Sequence, residues 1–118
     1  MIYYSKRNKE VSLTKDNVKG GALTEVTFLI LLSLYEPRHG YAVMQFIEEM
    51  TDGRLTLGAG TLYGALTTLE KKGWIEPFGE DTGRRKEYLI TSVGKETADR
   101  ELKRLERLTQ IAGEIIGR

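Results

Sequence analysis

Residues 58–73 read GAGTLYGALTTLEKKG, a stretch with glycine at each end and helical spacing between. Leu62, Leu66 and Leu69 recur at i, i+4 and i+7, with Ala65 beside them, so a single narrow stripe is apolar. The other faces carry Thr61, Tyr63, Gly64, Thr67, Thr68, Lys71 and Lys72, with one acid at Glu70. A helix serving only solubility alternates Glu with Lys and uses few threonines, which are poor helix formers. Small hydroxyls, a phenol and cations instead suit a helix lying in a DNA major groove, where thin side chains approach base edges and phosphates. Gly58 serves as N-cap, Gly60 leaves the first-turn amides open to an anion, and Gly73 ends the helix. A solvated amphipathic helix would share much of this pattern, so the neighbouring segments decide.

Length and composition narrow the classes. The 118 residues suffice for one domain with a single core plus a helix packed outside it. There is no cysteine, which removes disulfides and thiolate metal sites, and the single histidine argues against a histidine metal site or a histidine-dependent triad. No cofactor or metal is expected. The longest apolar run, Phe28 to Leu32, falls far short of a membrane span, and the N-terminus lacks a signal-peptide pattern. A cytoplasmic protein without membrane contact is the expectation. The net charge of +1 is unevenly spread: +3 over residues 1–20, −4 over 21–53, +2 over 54–95 and zero over 96–118. Cations gathered on one face are enough for a nucleic-acid partner.

On the N-terminal side, residues 1–20 form an arm with Tyr3, Tyr4 and five Lys or Arg, where Ser12 or Thr14 can cap a short helix. Thr24 opens a helix running to about Tyr35 whose residues leave almost no polar face, so it must be buried on several sides. Pro37 breaks it, and a turn through Gly40 leads into a second helix over about Tyr41 to Thr51. His39 at that turn has no catalytic company, so a local hydrogen-bonding role is expected. Gly53 supplies the left-handed stop, and Leu55, Thr56 and Leu57 alternate as a minimal strand.

On the C-terminal side, 74–78 and 86–91 read as two strands around the loop GEDTGRR of residues 79–85. Pro77 confines the first to a sheet edge. Tyr88 and Ile90 share an inner face, and Trp74 is a core residue beneath the hairpin. Gly83, Arg84, Arg85 and Lys86 place three cations beside a glycine at the tip. Thr91 then caps a helix to about Ile116. Ala98, Leu102, Leu105, Thr109, Ala112 and Ile116 step by 4 and 3 along it, and Leu108, Ile111 and Ile115 widen the seam. Residues 21–91 already close a core, so this leftover face is expected to bury itself against a second copy.

Helix, helix, short strand, helix, hairpin, helix is the order of a winged helix-turn-helix domain: mainly α with a small β-hairpin, extended by a C-terminal dimerisation helix. The expected division is an arm over 1–20, the winged-helix domain over 21–91 and the dimerisation helix over 92–118. In this architecture the third helix enters the major groove and the hairpin tip reaches flanking DNA. Gly60, Thr61, Tyr63, Gly64, Thr67, Thr68, Lys71, Arg84, Arg85 and Lys86 are the candidate DNA contacts.

Over residues 20–95 the chain resembles the PadR family of bacterial transcriptional regulators. The likeness rests on His39, Gly40 and Tyr41, on Gly60 to Tyr63 with Ala65 and Leu66, and on Leu69 to Gly73. It continues through Gly83 to Lys86, Tyr88, Thr91 and Gly94. The resemblance implies a homodimer joined through the terminal helix, a repressor role, a palindromic double-stranded operator and room for a small-molecule effector of unknown identity. The family commonly has proline where Ala59 stands, and often where Gly64 stands. Some members of the family bind flat aromatic drugs between tryptophans of the terminal helix, yet no aromatic lies beyond residue 91 here. An effector is therefore expected against the aliphatic seam and the first helix. A winged-helix module that binds protein rather than DNA is the chief rival. An enzyme is a distant third, since nothing nucleophilic joins Glu48, Glu49 and Asp52 on their helix.

Overall fold

The computed structural model describes residues 21–79 and 86–117. The arm, Gly83, Arg84 and Arg85 lie outside the described residues, and with them the short helix expected near Ser12 or Thr14. Helix α1 spans Glu25–Ser33, capped by the Thr24 hydroxyl, which accepts the Thr27 N–H at 3.1 Å. Ile30, Leu31 and Leu34 are fully buried, as an almost wholly apolar helix demands. Leu32 and Tyr35 nevertheless remain partly exposed.

After Pro37 the chain is extended over β1, Arg38–His39, and then enters α2, Gly40–Met50. His39 caps α2, its Nδ1 accepting the Ala42 N–H at 3.4 Å, the local role expected of it. The stop involves two left-handed residues, Asp52 at φ 52° and Gly53 at φ 79°, and the Gly53 N–H returns to the Glu48 carbonyl at 2.8 Å.

Helix α3, Ala59–Lys71, follows Gly58, and β2, Ile75–Phe78, leads to β3, Glu87–Ile90. The sheet order is β1-β3-β2, antiparallel throughout. Pro77 sits on edge strand β2, where its missing N–H costs no ladder bond. Tyr88 and Ile90 face inward together. Trp74 precedes β2, half-buried against the core, with the Lys72 ammonium 4.9 Å from its ring.

The third strand corrects the sequence reading. Leu55, Thr56 and Leu57 form no strand. The Leu55 N–H is taken by the Thr51 hydroxyl at 3.1 Å, and Leu55 and Leu57 pack on the core as parts of a connector. Arg38 and His39 pair with β3 instead, opposite Tyr88 and Glu87. The break at Pro37 delivers them to that edge. The Arg38 guanidinium then donates to the Ser33 carbonyl and lies 4.8 Å over the Phe46 ring.

Helix α4, Ser92–Ile116, starts from the Thr91 cap. That hydroxyl accepts the Gly94 N–H at 3.0 Å and donates to the Gly73 carbonyl at 2.6 Å, fastening α4 to the end of α3. A Cβ on Gly94 would stand 2.1 Å from the Trp74 carbonyl oxygen. Glycine there lets α4 approach the start of β2.

Candidate nucleic-acid interface

Leu62, Leu66 and Leu69 of α3 are all buried, and this fixes what the opposite side presents. At 100° per residue, Gly60, Gly64, Thr67 and Lys71 form the line pointing straight away from the core. All four are exposed. Thr61 and Thr68 flank it on one side and Tyr63 on the other. Nothing lies within 4 Å of a Cβ built on Gly60 or Gly64, so no packing inside the described chain explains either glycine. Gly64 stands mid-helix, where glycine costs about 1 kcal/mol against alanine.

The threonines are less free than their exposure suggests. Thr67 donates its hydroxyl proton to the Tyr63 carbonyl at 3.0 Å, and Thr68 donates to the Gly64 carbonyl at 3.2 Å. Each keeps its acceptor lone pairs, which favours donors such as a base amino group. Thr68 also borders a shallow cleft shared with Thr24, Thr27, Lys72 and Trp74, so it stands at the margin of the surface.

Gly58 gives α3 no side-chain cap. Its exposed first turn therefore has no side-chain acceptor for its amides, a geometry that receives a phosphate. Lys71 stands in the last turn. Lys86 is exposed at the base of the hairpin, its ammonium 5.5 Å from the Tyr88 ring. The candidate contacts on α3 all share its outer side, while Lys86 lies beside the sheet, just ahead of β3.

Gly40 belongs to this surface although its role was not legible in the sequence. A Cβ there would fall 2.5 Å from the Tyr63 hydroxyl oxygen and 2.6 Å from its Cζ. The motif residues Gly40 and Tyr63 thus meet in space; the signal was present as two triplets whose proximity the sequence does not reveal.

The seam divides. Gly94, Thr97, Ala98 and Glu101 are buried within the chain's own domain. Ala98 therefore leaves the expected dimer seam: α4 turns it inward against its own core. Leu105 is half-buried, and Leu102, Leu108, Thr109, Ala112, Ile115 and Ile116 are exposed, as is Ile111. The open groove at the end of α4 is bordered by Thr109, Ala112, Gly113 and Ile116.

Among the described residues no three His, Asp or Glu side chains are placed to share a metal ion, and no helix is long and apolar enough to cross a membrane.

Residues 28–100 match the sequence profile of the transcriptional regulator PadR-like family. A 37.1 kDa protein of transposon TN4556 from Streptomyces fradiae is 38% identical over 86 residues, 72% of this chain but only 24% of that relative's length. A transcriptional regulator from Clostridium thermocellum superposes with a TM-score of 0.64 at 28% identity, covering 76% of this chain and 90% of its own. A PadR family transcriptional regulator from Eggerthella lenta gives 0.64 at 26% identity, covering 77% and 80%.

Proposed function

The chain belongs to the PadR-like family of transcriptional regulators, and on that premise we propose that it acts as a homodimeric repressor reading a palindromic DNA operator. The observation that carries the reading is the outward line of α3. Two glycines without a packing role, a threonine and a lysine point away from the core on a helix whose uncapped N-terminus faces the same solvent. A protein-binding face would want apolar anchors at its centre. This one has none on the central line, and its single aromatic stands at the flank.

The homodimer is supported by the second half of α4, whose exposed Leu102, Leu108, Ile111, Ile115 and Ile116 make an apolar strip on a helix that outruns its own domain. A second copy offers the same strip by symmetry. Two α3 helices related in this way read half-sites about 34 Å apart, one turn of B-DNA. Arg84, Arg85 and Lys86 supply cations to the flanking backbone, and a small-molecule effector is accommodated against the aliphatic strip and α1.

The test is a titration of labelled duplex carrying the inverted repeat nearest the protein's own gene, over a range of salt. Arg84→Ala with Arg85→Ala should weaken binding to every sequence and reduce the salt slope by about 0.9 for each phosphate no longer neutralised. An unchanged slope removes the hairpin from the mechanism. Absence of salt-dependent DNA binding by the native chain leaves the protein-binding alternative.

A further inference from the structure

We infer that Gly40 is a seat for the Tyr63 ring, and that this seat fixes the phenol in the orientation used to discriminate DNA sequence. The inference rests on the DNA-binding reading of α3. Gly40 opens α2 and is buried, yet it is not among the positive-φ glycines, so backbone conformation does not require glycine there. Space does. A Cβ would stand 2.5 Å from the Tyr63 Oη, 2.6 Å from Cζ and 2.8 Å from Cε1. The far half of the phenol therefore rests directly on the Gly40 backbone.

Tyr63 is 47% exposed. One part is held by Gly40 and the rest faces solvent on the flank of the outward line of α3. No described residue hydrogen-bonds its hydroxyl, so that group is available to a base edge or a phosphate. A free surface phenol samples several rotamers and must be ordered on binding; one already seated avoids a loss of roughly two- to tenfold in affinity.

The seat also has an address. Gly40 directly follows His39, whose partner across the sheet is Glu87, next to Lys86 at the base of the hairpin. Tyr63 thus rests on the segment that joins the sheet to α2. The ring registers α3 against the strand that carries the hairpin, which makes Tyr63 a recognition residue and Gly40 its positioning residue.

The crowding atoms lie at the far end of a side chain, so a methyl at position 40 swings the ring away rather than shifting the backbone. Gly40→Ala thus separates seating from folding. The experiment uses the full chain, a duplex selected from a random pool by the native protein, and a scrambled duplex of equal composition. Gly40→Ala should lose roughly two- to tenfold in affinity for the selected duplex and nothing for the scrambled one. In a Tyr63→Ala background the same change should have no further effect, whereas in Tyr63→Phe, which keeps the ring, the loss should persist. Additive losses in the Tyr63→Ala cycle, or equal losses on both duplexes, would overturn the inference. Independently of any variant, the native protein should show a nuclear Overhauser effect between the Gly40 Hα protons and the Tyr63 ring; its absence also overturns the seat. A native chain that selects no duplex but retains that effect refutes the DNA reading, and with it the seat's role in recognition, while leaving the packing of ring on glycine standing.

Discussion

The two halves of α4 present the same face to different surroundings. In the first half Ala98 and Glu101 are 3% and 5% exposed; in the second, on the continuation of that face, Leu108 and Ile115 are 50% and 79% exposed. The reason is length. Helix α1 has nine residues and spans about 14 Å, whereas α4 has 25 and spans about 37 Å. A short core helix covers only the start of a long one. The small residues Gly94, Thr97 and Ala98 fall where the domain packs closely, and the bulky aliphatics fall where no described part of the chain reaches. An uninterrupted periodicity can therefore serve two interfaces, one within the chain and one proposed between copies.

The largest expected effect falls on the bare half. Leu108→Lys combined with Ile115→Lys places unpaired charge in the proposed dimer seam, at a cost of about 3–5 kcal/mol for a buried uncompensated ion. That corresponds to association weaker by roughly a hundredfold to several thousandfold. Sedimentation velocity at micromolar concentration should show the native chain as a dimer and the variant as a folded monomer with unchanged far-UV dichroism. Identical sedimentation of the two would place the seam elsewhere.

Much of the molecule was legible because its signals are local. The Leu62, Leu66 and Leu69 stripe, the Thr24 and Thr91 caps, the break at Pro37 and the stop at Gly53 each follow from a few neighbouring residues, and the structure agrees with all of them. What escaped depends on residues distant in the chain. Two residues cannot show alternation, so β1 at Arg38–His39 gave no periodic signal, while Leu55 and Leu57 alternate only because a connector turns both leucines onto the core. Ala98 fits the seam by spacing, and spacing does not say whose surface covers it. Of the candidate residues on α3, exposure and direction were legible, but not the hydrogen bonds that occupy the Thr67 and Thr68 donors or the seat beneath Tyr63.

The packed half should respond in the opposite way to the bare half. In Gly94→Ala the new methyl meets the Trp74 carbonyl oxygen, which cannot retreat freely because it accepts the Thr91 N–H at 2.9 Å. Overpacking of this kind costs about 1–3 kcal/mol, or roughly 4 °C of melting temperature per kcal/mol for a chain of this size. Thermal unfolding should register that loss while the dimer dissociation constant, measured well below the melting range, stays within about twofold of native. Weakened association instead would mean that the halves of α4 are coupled.

The smallest effect belongs to the residue at the boundary. The Glu101 carboxylate is the last buried group on the inner face; it accepts the Leu23 N–H at 3.2 Å and the Arg104 Nε and Nη2 at 2.9 and 2.6 Å. The Arg104 hydrogen bonds hold its carboxyl below the ordinary range; burial opposes them, and the Leu23 N–H and the Arg104 charge add to them. A carboxyl that is more acidic folded than unfolded binds fewer protons in the native state, so its contribution is present above the unfolded carboxylate range. It is lost as the pH falls through that range towards the folded value. Glu101→Gln keeps an acceptor for Leu23 but removes the charge facing Arg104. Because Arg104 is about one-third exposed and partly screened by water, the expected loss at neutral pH is about 1 kcal/mol. Urea midpoints of native and variant chains should differ at pH 7 and converge in acid, once the pH has fallen below the lowered folded value and the native carboxylate also gains its proton. A gap that persists in acid would assign the loss to packing rather than charge. A gap accompanied by weaker dimerisation would move the boundary between the two halves of α4 beyond Glu101.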